Sequence, residues 1–233
     1  MVLARPPRRL LPLGLSLVLS ACGMRGAPPP ASCPTTASPC LRGSAVVALQ
    51  TSRGEVQITV DGDAAPVTAG NFVDLVRRGA YNGTVFHRVV REPTPFVVQG
   101  GDPASANPKT PPVQYGTGSF VDPATGESRT IPLEVKLRDE KRPRYGTPYM
   151  EPTASREVQL PHQRGSVAMA RSASPDSASA QFYVALEALP ELDGRYAVFG
   201  RVTKGMAVVD KIQQGDKLVR ARVVEGGTLV KGG

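Results

Sequence analysis

Apolar and polar residues alternate strictly through Glu55-Val56-Gln57-Ile58-Thr59-Val60, the pattern of a strand with one face buried. Val46-Val47-Ala48-Leu49 precedes it as a short apolar run. Ser52-Arg53-Gly54 between the two predicts a hairpin loop, with glycine free to take positive φ. The period then changes. Ala69, Phe72, Val73 and Val76 recur at helical spacing, with Asn71, Asp74 and Arg78 expected on the opposite face. Pro66 suits the first turn of that helix and Gly79 its C-terminal stop.

Strand patterns resume at Val85-Phe86 and Phe96-Val97-Val98, on either side of a proline-rich loop from Arg91 to Pro95. Residues 103–164 are irregular, with one strand predicted around Ile131-Pro132-Leu133-Glu134. This segment is too poor in apolar residues to form a second domain and reads as an insertion. Further strands are predicted at Ser166–Met169, Gln181–Leu186, Tyr196–Val202 and Val219–Val224. A second helix is predicted over Met206–Gln213, stopped by Gly215, and residues 225–233 form a tail. Many short strands with glycine turns and only two helices predict a β-barrel or sandwich with helical caps.

The N-terminus is of a different kind. Arg5, Arg8 and Arg9 precede an apolar run from Leu10 to Leu19, a signal segment (residues 1–21) too short to span a bilayer as a helix. It ends in Leu19-Ser20-Ala21-Cys22, which resembles the bacterial lipobox, whose cysteine is lipidated. An ordinary cleaved signal with an incidental cysteine is the alternative. Residues 22–43 are rich in Pro, Ala, Ser and Thr and read as a semi-stiff tether, so the folded domain is expected over residues 44–224. An exported chain meets oxidising conditions, so Cys33 and Cys40 either pair across a small loop or remain two free thiols.

The formal charge of +8 includes the three arginines of the signal segment, which leaves an ordinary basic surplus with both signs dispersed. No helix-turn-helix pattern, zinc spacing or aromatic-basic interleaving accompanies it, so nucleic acid is not an expected partner. Two histidines, His87 and His162, and two linker cysteines do not supply the three or four ligands of a zinc site. A hydrolase built on His87 would need a serine elbow, and no G-x-S-x-G is present. Gly116-Thr117-Gly118 lacks the third glycine of a dinucleotide loop. No metal and no cofactor are expected.

What remains clusters around Phe86-His87-Arg88 and Phe96-Val97-Val98-Gln99-Gly100-Gly101-Asp102. These residues resemble the cyclophilin-type peptidyl-prolyl isomerases. So do Pro66-Val67-Thr68-Ala69-Gly70-Asn71-Phe72, Val167-Ala168-Met169-Ala170, Ser179-Ala180-Gln181-Phe182-Tyr183 and Leu192-Asp193-Gly194-Arg195-Tyr196-Ala197-Val198-Phe199-Gly200. The motifs occur in family order between Ser44 and Val224. The resemblance implies a closed eight-stranded antiparallel barrel capped by two α-helices, with the site on its outer face.

The resemblance also implies a site. Arg88, Phe96 and Gln99 are its catalytic candidates. Arg88 is expected to aim its donor at the prolyl nitrogen when the amide twists and recovers a lone pair. Gln99 is expected to hold a substrate carbonyl or to orient Arg88. Phe96, Val97, Tyr183 and Leu192 match the proline pocket and Tyr196 its rim. Ala170, Arg171 and Ser172 match the segment whose backbone pairs with the substrate, and Gln181 accompanies them. In a strand, Val97 and Gln99 share one side, as do Gln181 and Tyr183.

Several positions depart from the family pattern. Val97 stands where many members carry Met, Glu191 precedes Leu192 where many eukaryotic members place Trp, and Arg171 replaces a common Asn. Loss of the indole is expected to weaken binding of the cyclosporin class of inhibitor. The Arg91–Pro95 loop is longer than the pattern and threatens to shift Phe96 from Arg88. The expected activity is rotation of X-Pro bonds in exported polypeptides by a lipid-anchored monomer at a bacterial membrane. A non-catalytic module that grips Pro-containing segments is the rival.

Overall fold

The computed structural model describes residues 1–2, 33–34 and 38–231. The segment expected to be a signal, beyond its first two residues, together with Cys22 and most of the expected tether, lies outside the described residues.

Among the described residues, eleven strands and three α-helices follow one another as β1 (Cys40–Thr51), β2 (Gly54–Asp61), α1 (Pro66–Arg77), β3 (Thr84–Val85), β4 (Arg88–Val90), β5 (Val97–Gly100), β6 (Glu134–Val135), β7 (Arg144–Tyr145), α2 (Ala154–Glu157), β8 (Ser166–Met169), β9 (Phe182–Ala185), β10 (Val198–Lys204), α3 (Met206–Val209) and β11 (Lys217–Val230). Nine of the strands form one sheet in the order β3-β11-β1-β2-β10-β8-β9-β5-β4. Every pairing is antiparallel. The predicted eight strands are therefore nine, and the two edges, β3 and β4, are not paired with each other. Phe86 and His87 link them along the chain. The Phe86 N–H bonds Asp216 O at 2.8 Å and its carbonyl accepts from Gly215 at 3.0 Å, which pulls the backbone out of strand geometry between β3 and β4.

Alternation along the strands separates two apolar clusters. The inner one carries Phe72, Tyr81, Phe182 and Phe199, with ring centroids 5.0–5.5 Å apart. The outer one carries Val97, Ala168, Tyr183, Ala185 and Val198, the residues that alternate with the inner set. Burial on both faces explains why β8 and β9 read as continuous apolar runs.

The domain edges run further than the hydropathy suggests. β1 starts at Cys40, inside the segment read as tether, where Cys33 and Cys40 are joined in a buried disulfide. β11 continues to Val230 through Gly226 and Gly227, which take positive φ of 65° and 87° at a register shift opposite β1. The glycine pair reads as a strand terminator and acts as a bulge.

Two helical expectations are corrected. α3 is a single turn and not an eight-residue helix, because the Arg91 guanidinium takes the Val209 and Ile212 carbonyls and Asp216 takes the Gln213 N–H. Asn71 does not face solvent. The insertion covers that side of α1, and Asn71 Nδ2 donates to Ser179 O at 2.7 Å. Arg129 of the insertion pairs with Asp74 at 2.6 Å and Asp122 at 3.1 Å, stacked 4.9 Å from the Phe120 ring centroid.

The insertion builds a satellite cluster of Leu133, Val135, Leu137 and Val158, closed by Ala197 of the main sheet. Of the strand predicted at Ile131–Glu134, only Glu134 enters a two-residue strand, since Pro132 has no N–H to donate. Glu134 is buried and does the work of a cap. Ala65 offers α1 no side-chain bond, and the Glu134 carboxylate instead accepts the Val67 and Thr68 N–H groups at 3.1 and 2.8 Å.

Candidate functional site

The site lies where β4, β5 and β9 run side by side. Register sets Arg88 opposite Gln99, and Gln99 opposite Tyr183, so the three side chains form one row across the outer face. Gly100 and Gly101 end that row. A side chain at Gly100 would strike Phe86, and Gly101 turns with φ of 82°. Only glycine lets the chain leave β5 this close to β3.

Arg88 is exposed and its Cζ stands 5.6 Å from the Phe96 ring centroid. Gln99 Oε1 accepts from Arg88 Nη1 at 3.4 Å, and Gln99 Nε2 donates to Gln181 Oε1 at 3.2 Å. Gln181 Nε2 in turn donates to the carbonyls of Gly116 and Gly118 at 3.0 and 2.9 Å. The Asp102 carboxylate holds that loop from beneath, accepting the N–H groups of Gly116 at 2.6 Å and Gly118 at 3.2 Å. The relay gives both amides one consistent orientation, with the Gln99 oxygen turned to Arg88.

Nine of the residues expected at the site border one shallow depression of about 280 Å³: Arg88, Phe96, Val97, Gln99, Ala170, Arg171, Tyr183, Leu192 and Tyr196. Ser172 and Gln181 lie apart from it. They line a second, polar depression of about 220 Å³ with Gly116–Ser119, which adjoins the first along Gln99, Ala170 and Arg171. Arg171 donates from Nε and Nη2 to Arg195 O at 3.0 and 2.8 Å and lies 4.7 Å from the Tyr196 ring centroid. The Ala170 N–H is spent on Gln181 O at 2.9 Å.

His87 does not border the depression. Burial lowers its pKa below the usual histidine value, and neither ring nitrogen bonds a serine or a carboxylate among the described residues. His162 had no role in the sequence reading, yet its ring touches the pocket wall. Nε2 lies 2.9 Å from the Tyr183 hydroxyl and Nδ1 2.8 Å from Asp193 Oδ1, all three residues being buried. Burial pushes the Asp193 carboxyl up, but hydrogen bonds from the His162 ring and N–H and from Ser155 outweigh it and hold it below the usual range. A tyrosine expected in the pocket wall, whose hydroxyl needs a partner when buried, together with an unassigned histidine, was the available signal.

These features define the class: a mainly antiparallel β fold with a shallow apolar depression beside an arginine on the outside of its sheet. The chain belongs to the family described as cyclophilin type peptidyl-prolyl cis-trans isomerase, whose sequence pattern matches residues 46–231. It is 39% identical over 205 residues to a putative thylakoid lumen peptidyl-prolyl cis-trans isomerase of Synechocystis, covering 83% of this chain and 51% of that protein. It is 40% identical over 180 residues to the chloroplastic isomerase CYP38 of Arabidopsis thaliana, covering 73% and 38% respectively. The chain thus spans about half or less of those two relatives. A Helicobacter pylori peptidyl-prolyl cis-trans isomerase is 34% identical over 175 residues, covering 74% of this chain and 83% of the relative. The fold also matches the crystal structure of cyclophilin AquaCyp293 from Hirschia baltica, with a TM-score of 0.54 and 23% identity over 79% of this chain and 76% of that one.

Proposed function

We propose that the protein accelerates cis-trans rotation of X-Pro bonds by stabilising the twisted amide without covalent chemistry. The observation that carries this reading is Arg88, held by Gln99 and lying over Phe96, at the edge of an apolar floor made by Val97, Tyr183 and Leu192. Rotating the planar amide means losing its resonance, at a barrier of about 18–20 kcal/mol. At the twisted geometry the prolyl nitrogen regains a lone pair, and the carbonyl loses its partner. A guanidinium fixed before the substrate arrives bonds that nitrogen better in the twisted state than in the planar one. The pyrrolidine ring packs on Phe96 and Tyr183, which keeps the proline still while the other side of the bond turns. Ala170, Arg171 and Ser172 border the path the flanking peptide takes, and the second depression adjoins that path. No cofactor takes part.

The substrates are exported polypeptides, and the chain acts as a monomer lipidated at Cys22 on the outer side of a bacterial membrane. The thylakoid lumen and chloroplast named for two relatives support export, and the apolar run before Cys22 supports the anchor.

A protease-coupled cis-trans assay on a Pro-containing peptide tests the activity. Wild type should speed isomerisation and Arg88→Ala should lose nearly all of it. Equal rates for the two, with peptide binding kept in both, would leave a non-catalytic binding module.

A further inference from the structure

The pocket floor is wired to its rim through a buried polar chain. Tyr183 projects from β9 onto the outer face and is only 4% exposed. Its ring lies near-parallel to that of His162, at 13° and 6.0 Å between centroids, and meets Tyr196 edge-on at 6.0 Å. The His162 side chain is 0% exposed and the Asp193 side chain 1%. Asp193 Oδ1 accepts twice from His162, from the backbone N–H at 2.6 Å and from Nδ1 at 2.8 Å. The His162 carbonyl accepts the Leu189 N–H at 3.0 Å.

An ionised carboxylate only accepts, so Nδ1 is the donor to Asp193, and Nε2 meets the Tyr183 hydroxyl. Both ring nitrogens of His162 and the Tyr183 hydroxyl thereby have partners within the chain. Asp193 directly follows Leu192, and the loop from Leu189 to Tyr196 supplies the other two pocket walls. The same loop is held from the insertion, where Tyr149 donates its N–H to Gly194 O at 2.8 Å and Leu160 packs against the outer cluster.

A phenylalanine at position 183 would fill the floor with no need for a buried histidine or aspartate. A fully satisfied polar chain fixes geometry that apolar contact leaves loose. We propose that His162 and Asp193 are positioning residues for prolyl isomerisation: they lock the Tyr183 ring and set its distance from Leu192 and Tyr196, so that the proline seat is preformed. This rests on the activity proposed above. Neither residue touches the substrate.

The test is a double-mutant cycle of His162→Phe and Tyr183→Phe, read as kcat and KM in the coupled assay beside thermal midpoints. Tyr183→Phe keeps the ring and removes one oxygen, and should lower kcat/KM about three- to tenfold, carried in KM because the seat serves ground and transition states alike. His162→Phe should cost about tenfold, and the double variant no more than the worse single, since one wire is cut only once. Factors that multiply in the double variant, or a Tyr183→Phe enzyme with unchanged kcat/KM, would overturn the proposal. If His162→Phe does not fold, Asp193→Asn takes its place in the cycle with the same criteria. Wild-type turnover equal to that of Arg88→Ala would sink the activity reading itself. An active wild type with multiplying factors sinks only the wiring.

Discussion

Arg88 Cζ lies 5.6 Å from the Phe96 ring centroid although the long Arg91–Pro95 loop separates the two in the chain. The extra length does not displace the ring. Val90 pairs with Val97 across β4 and β5, the Phe96 N–H bonds Val90 O at 3.0 Å, and Phe96 O accepts from Leu186 at 2.9 Å. The surplus residues Glu92 to Pro95 are turned outward and exposed.

Arg88→Ala should lower kcat/KM by about 10²- to 10³-fold, the usual cost of losing one transition-state donor. Arg88→Lys keeps the charge and should recover little. An ammonium has no planar fork to bond Gln99 and lie over Phe96 together. Recovery of half the activity or more by lysine, measured in the coupled assay, would mean that charge alone is what the site needs.

Arg91→Ala separates the loop from the chemistry. The guanidinium closes the carbonyls of Val209 at 3.2 Å and Ile212 at 2.9 Å, so its loss should cost about 1–2 kcal/mol of stability in urea unfolding. Catalysis should change less than about twofold, because Phe96 is held from both sides by backbone bonds. A tenfold fall in kcat/KM would show that the loop itself positions Phe96.

Arg88, Gln99 and Tyr183 were legible as site residues through the motif resemblance, and alternation gave the side that Val97 and Gln99 share; the register that aligns the three across β4, β5 and β9 has no local signal. Position 71 was misread for a physical reason. Amphipathicity marks a polar residue as exposed, but Asn71 is buried under the insertion and satisfied by Ser179 O and Arg129. Residues 103–164 read as irregular because their long-range partners leave no local period: Glu134 answers α1, Lys136 answers Asp63 O, and His162 answers β9. A pairing across such distances in sequence is invisible to a window of any length. The domain ends were underestimated because Pro39, Gly43 and Gly226 carry loop signals while the backbone around them is paired in the sheet.

Glu134→Ala should destabilise by about 1–3 kcal/mol, since two N–H groups at the start of α1 lose their acceptor. The wild-type carboxyl also imposes a pH dependence. Burial raises its pKa above the ordinary 4.5, and the bonds from Thr68, Val67 and Tyr145 offset only part of that. The folded chain thus holds this proton more tightly than the unfolded chain. The stability so gained is full below pH 4.5 and is lost as pH rises through the folded value. In Glu134→Gln that fall should vanish from urea midpoints measured across the window. A variant that keeps the wild-type slope would assign the titration to another group.

The Cys33–Cys40 bond should stabilise the domain without touching catalysis. It joins residues seven apart in sequence, and Cys40 is the first residue of β1, paired with Val230 near the end of β11. Opening a loop of that size restores chain entropy to the unfolded state worth about 2–3 kcal/mol. The Cys33→Ser/Cys40→Ser double variant should therefore unfold at lower urea, and reduced wild type should match it. No residue of β1 borders either depression, so kcat/KM should stay at the wild-type value. Thiol titration should show two more thiols after reduction than before. Equal midpoints for oxidised and reduced protein would mean that the segment before Cys40 contributes nothing to the fold. A loss of activity in the double variant would mean that the edge of β1 is coupled to the outer face through the sheet.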